Sequence, residues 1–105
     1  MSINISGQLG GALRNLRISN RLLLRKVASD LDVDQSLLCK FERGNRLPAC
    51  DFVIRVAQYF SADEKELMAL WLCDKFFKEA RDSNVANRAL KIAEQRIRYI
   101  TKQGS

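Results

Sequence analysis

Apolar residues recur along most of this chain at the three-and-four spacing of helices, and almost nowhere at the alternate spacing of strands. Leu9, Leu13 and Leu16 make the first such stripe, predicting a helix near Ser6–Ile18 with Ser6 as its cap. Ala28 with Leu31, then Leu38 with Phe41, predict two short helices near residues 24–31 and 35–43. Val53, Val56, Ala57 and Phe60 form the buried side of a fourth helix near Asp51–Phe60. A fifth, near Ala62–Arg81, opens on Asp63, Glu64 and Glu66, whose negative charges suit a helix N-terminus. The sixth, near Asn84–Lys102, carries Ala86, Leu90, Ala93, Ile97 and Ile100 at alternating steps of four and three, the seam by which two helices interlock. The expectation is an all-α chain.

Residues 24–44, LRKVASDLDVDQSLLCKFERG, carry the most information. Asp32, Val33 and Asp34 interrupt the apolar spacing. Val33 can plug the gap between two crossing helices, and Asp34 is a good N-cap for the helix that follows. Gly44 stands where a helix end favours a left-handed residue. Pro48 keeps its predecessor out of the helical region and so ends the loop that begins at Gly44. Two short helices at a steep angle, joined by a tight turn, form the unit that sets a helix into the major groove of DNA.

Nine of the eleven residues from Leu67 to Phe77 are apolar. A helix that apolar must be buried on more than one side, and a small five-helix domain covers one. The expectation is that the sixth helix packs on the fifth, within a chain or between two chains. One domain of 105 residues cannot easily bury both surfaces alone. A homodimer is therefore expected, with Leu70, Trp71, Phe77, Leu90 and Ile97 at its interface.

Charge sharpens this picture. The chain has 18 Lys and Arg against 12 Asp and Glu, a net charge of +6. Residues 1–50 hold eight basic and four acidic side chains, residues 51–82 five and seven, and residues 83–105 five and one. A basic head and tail around an acidic middle fit a polyanionic partner better than the total does. Three cysteines, an odd number without close pairing, and no histidine make a zinc site improbable and point to a reducing, cytoplasmic compartment. No cofactor is called for. No apolar run approaches the roughly 20 residues of a membrane span, so no membrane partner is expected. There is no glycine-rich phosphate loop after a strand and no nucleophile beside a base, so the chain does not read as an enzyme.

From Leu9 to about Leu72 the chain resembles the phage-repressor and Cro-like helix-turn-helix proteins, the XRE family. The residues that carry the resemblance are Leu16-Arg17, Ala28, Leu31-Asp32-Val33 and the run Phe41-Glu42-Arg43-Gly44-Asn45-Arg46-Leu47-Pro48. It implies a five-helix lambda-repressor-like domain over residues 6–72, and the seam of the sixth helix makes residues 73–103 a helical extension for dimerisation. It also implies an ion pair between Arg17 and Glu42 that braces the first helix against the recognition helix. The chain departs from the family at Arg21 and Asp32, where turn glycines are usual, and at Leu23, where a Ser or Thr cap is usual. A glutamine that binds phosphate often stands where this chain has Leu24. Leu22, Leu23 and Leu24 extend the core or a partner surface instead.

The candidate contacts to double-stranded DNA follow from side-chain chemistry at these positions. Gln35 can bond adenine in pairs, Lys40 can donate to guanine acceptors, and Ser36 is adaptable. Leu37 either touches a thymine methyl or leans into the preceding helix. Arg43, Asn45 and Arg46 are placed to grip phosphates, which fixes register without reading bases. Arg25 and Lys26 open the first motif helix and add to that grip. The expected function is a sequence-specific transcription regulator, acting as a repressor-like dimer on an inverted-repeat operator. The alternative is an antitoxin-type interaction module whose C-terminal helices bind a protein partner.

Overall fold

The computed structural model describes residues 8–104, and all of its elements are helices. They are α1 Gln8–Ser19, α2 Leu24–Asp30, α3 Gln35–Arg43, α4 Cys50–Phe60, α5 Glu64–Ala80 and α6 Ala86–Gly104. The expected cap Ser6 lies outside the described residues. Asp74, on α5, takes up part of that role: its Oδ2 accepts the Leu9 amide at 2.9 Å, satisfying one of the open donors at the start of α1.

The core is a single cluster. Leu9 and Leu13 from α1, Val27, Ala28 and Leu31 from the α2 segment, and Leu38 and Phe41 from α3 meet Phe52, Val53, Val56, Ala57 and Leu67. Each fully buried leucine or valine contributes about 1.5–3 kcal/mol. Phe41 and Phe52 pack at 5.1 Å between ring centroids, tying α3 to α4. Gly10 is where α1 crosses α3. A Cβ there would stand 2.6 Å from the Glu42 carbonyl oxygen, so the two backbones touch only because this side chain is absent.

Among the described residues, three other than glycine hold left-handed backbone: Arg21 at φ 56°, Asp32 at 55° and Ser61 at 52°. The first two are the positions that depart from the family's glycines. The turn geometry is thus kept while the residue that relieves it is missing. Left-handed conformation costs a non-glycine residue roughly 1–2 kcal/mol, and glycine's extra freedom in the unfolded chain returns about 0.5–1 kcal/mol of that. Arg21→Gly is therefore expected to stabilise the protein by about 0.5–1 kcal/mol, and Asp32→Gly by less, since aspartate tolerates this region better. Urea midpoints measure it, with Arg21→Val as the strained control that should lose stability. A glycine variant less stable than the native chain would show that the Arg21 side chain makes a compensating contact.

The amphipathic pattern of α5 is satisfied on one side only. Leu67 is buried, and Met68, Leu70 and Trp71 pack against the core, whereas Leu72 is 61% exposed and Phe76 38%. α6 does not cover that second side. It makes no substantial packing with any other helix, and its seam residues Leu90 and Ile97 are 50% and 63% exposed. The within-chain form of the expected α5–α6 packing is thus not found. Ordered turns explain the exit of α6. Ser83 donates its amide to Ala80 at 2.9 Å, and Val85 donates to the Ser83 hydroxyl at 3.2 Å. The radius of gyration, 15.6 Å, exceeds the about 13 Å of a compact chain this long because α6 projects from the five-helix body.

Candidate nucleic-acid interface

α3 is the centre of the candidate interface, and its orientation is fixed from both ends. At the start, Asp34 occupies the cap position with extended backbone, but its side chain caps no amide. Its Oδ2 instead accepts the Ser36 hydroxyl at 3.0 Å. At the end, Gly44 is left-handed at φ 77°, and the amides of Gly44 and Asn45 bond the carbonyls of Phe41 and Lys40. That closes the helix as the glycine predicts.

The inner face of α3 is Leu38, Phe41 and Glu42, all buried. Glu42 is the only buried charge among the described residues, and it is fully answered. Arg17 Nε donates to Glu42 Oε2 at 2.8 Å and Nη2 donates to Oε1 at 3.0 Å, a two-pronged pair. The third arm, Nη1, donates to the Leu22 carbonyl at 3.1 Å. The hydrogen bond to Glu42 raises the Arg17 pKa, so the guanidinium stays charged throughout. α1, the turn before α2, and the end of α3 are locked by one guanidinium. The bracing pair that the resemblance implies is present.

At 100° per residue, the face opposite Leu38 and Phe41 carries Ser36, Lys40 and Arg43, with Gln35 at its edge. All four are exposed, as are Asn45 and Arg46 beyond the Gly44 cap. The four thus share the outward side of α3, and Asn45 and Arg46 continue past its C-terminal end. Leu37 is half-buried and packs against the core. Arg25 and Lys26 are exposed on α2, where Lys26 Nζ pairs with Asp30 at 3.2 Å. The α2 start has no side-chain cap, and Leu23 at that position is exposed.

The expected interface residues fall into separate groups. Leu70 and Trp71 are engaged with their own chain's core, and Trp71 Nε1 donates to the Pro48 carbonyl at 2.9 Å. Lys75 lies 5.0 Å above the Trp71 ring. This indole anchors the loop that displays Asn45 and Arg46. Phe77 lines a cleft of about 180 Å³ with Gly10, Asn45, Arg46, Lys78 and Arg81. Leu90 and Ile97 stand apart on α6.

Sequence reasoning missed the residues that tie α2 to α4. Arg55 donates to the Leu31 carbonyl, and the Tyr59 hydroxyl donates to Asp30 Oδ2 at 2.6 Å. The Tyr59 hydroxyl, with Lys26, holds Asp30 below the usual carboxylate range. A carboxylate with a lowered pKa supports the fold above its unfolded pKa, and that support is lost as pH falls through the folded value. The one signal was the polar pair Arg55 and Tyr59 one turn apart on α4, beside its apolar face.

A family model described as a helix-turn-helix domain matches residues 10–71, from α1 into α5. No curated protein and no solved structure matches the chain.

Proposed function

Since the chain belongs to the XRE-type helix-turn-helix family and is a DNA-binding regulator of that class, we propose that it is a transcriptional repressor binding an inverted-repeat operator as a homodimer. The observation that carries this reading is the outward face of α3 and its following loop, polar and basic beside a rigid, buried opposite face. Gln35, Ser36 and Lys40 are the proposed base-reading residues, with Leu37 leaning into the core beside them, and Arg43, Asn45, Arg46, Arg25 and Lys26 the phosphate contacts. Residues 6–72 are proposed as the DNA-binding domain and 73–103 as the dimerising extension. The two-fold arrangement sets the half-sites about one helical turn apart. The family is typically non-enzymatic. Among the described residues no helix is long and apolar enough to cross a membrane, and the cytoplasm is the proposed location.

The test is a pair of substitutions read against salt. Gln35→Ala is expected to cost about 1–3 kcal/mol on the preferred operator and to relax one base pair. Arg43→Ala should weaken all sequences alike and reduce the salt slope by about one. Operators selected from random DNA supply the target. Equal losses for both variants on operator and random duplex would overturn the division between reading and anchoring residues. A binding constant that does not change between about 50 and 200 mM salt would overturn nucleic-acid contact at this face altogether.

The exposed α6 seam favours a second reading, an antitoxin-type module whose C-terminal helices bind a different protein. A monomer with a protease-sensitive tail supports it, and a sharp, highly helical dimer of the purified chain overturns it.

A further inference from the structure

Among the described residues, two apolar faces are without a cover, and they match each other. On α5, Ala69, Leu72, Phe76 and Ala80 run along one side at steps of three and four. Of these, Ala69, Leu72 and Phe76 are exposed. On α6 the seam is Leu90, Ala93, Ile97 and Ile100, with Leu90, Ile97 and Ile100 half to two-thirds exposed. At 1.5 Å per residue the α5 stripe is about 16 Å long and the α6 seam about 15 Å. Their size patterns are complementary. The α5 stripe is bulky at its centre and ends in alanines, while the α6 seam has its alanine between bulky Leu90 and Ile97. Facing rows that alternate large against small interdigitate. Glu79 borders the α5 stripe, and Arg96 and Glu94 border the two edges of the α6 seam, so Arg96 can face Glu79 when the rows meet.

We propose that α6 of each chain packs on the exposed α5 stripe of a second copy, so that the dimer is held by a reciprocal exchange of C-terminal helices. The inference rests on the dimer reading above and specifies its geometry. Ordered turns join Ala80 to Ala86, and α6 makes no substantial packing with its own α5, which leaves the α5 stripe open to a second copy. A simple α6–α6 pair would bury one short seam and leave Leu72 and Phe76 in water. It would take from water about half the apolar surface that burying both faces removes, and a stable interface needs about 800 Å² per partner. Reciprocal exchange buries both faces of both chains. Arg88, Lys91 and Arg98, on the side opposite the seam, remain in water.

The experiment uses the full chain carrying Ala93→Cys, with the native exposed thiol of Cys73 on the edge of the α5 stripe. Isotopically light and heavy chains are mixed, joined with a short bis-maleimide, digested and mapped by mass. Reciprocal exchange gives peptides that join 73 of a light chain to 93 of a heavy one. It also requires that Phe76→Glu abolish the dimer while helicity is kept, since Phe76 is not part of the core. Links from 93 to 93, links of 73 to 93 within one chain, or a dimer that survives Phe76→Glu overturn the exchange and leave the dimer standing. Sedimentation of the native chain reads the dimer by itself. A native chain that stays monomeric, as it would if another protein or a lipid surface covered the seam, overturns both.

Discussion

Glu42→Ala is expected to cost about 3–5 kcal/mol, the penalty for leaving the partner of a buried ion pair without its counter-charge. The residue is 8% exposed, and both of its oxygens hold the Arg17 guanidinium. A domain of this size has about 5–15 kcal/mol of total stability, so one substitution removes a large share of it. The loss is structural and not a loss of contact with DNA, because the pair faces inward. Operator binding should fail in proportion to the unfolded fraction and recover on cooling or with a stabilising osmolyte. Arg17→Met combined with Glu42→Leu should recover much of the stability, since removing both charges leaves no unpaired one. Urea unfolding of the four chains gives the coupling directly. A loss below about 1 kcal/mol for Glu42→Ala would give the pair the weight of a surface bridge.

The double substitution Leu90→Glu, Ile97→Glu is expected to yield folded monomers whose operator affinity falls by about 10²–10⁴-fold. That is the gain a second linked half-site supplies without any new contact. Both residues are at least half exposed in the single chain and none of the core depends on them, so far-ultraviolet dichroism and the unfolding midpoint of the body should hardly change. The charges act at the interface alone. Sedimentation and operator titration are run on the same samples. A dimer that persists with unchanged affinity would place the assembly surface elsewhere, with Leu70 and Trp71 unsuited because they already pack on their own core.

Helix number, order and approximate bounds follow from local periodicity, which depends on neighbours three and four residues apart. The Arg17–Glu42 pair was legible only by resemblance, since 25 positions separate its members and nothing in the spacing joins them. The cap of α1 by Asp74 had no signal, because a contact across 65 positions is set by how α5 crosses α1. The Asp34 cap was placed correctly along the chain and wrongly in its bonding: a rotamer choice turned the carboxylate to Ser36.

For the interface, the residue types and their spacing determined which side chains lie on the outer face of α3, because a buried stripe at Leu38 and Phe41 fixes the opposite face by helix geometry alone. What the pattern could not determine was what the surplus apolar surface does. The α6 seam reads identically whether it folds back on its own chain or waits for another, since both solutions bury the same side chains. The tertiary structure alone shows that α6 does not fold back on its own α5. The turns after Ala80 carry α6 away from α5, and the direction in which a helix leaves a turn is set by a few backbone angles that leave no trace in hydrophobic periodicity.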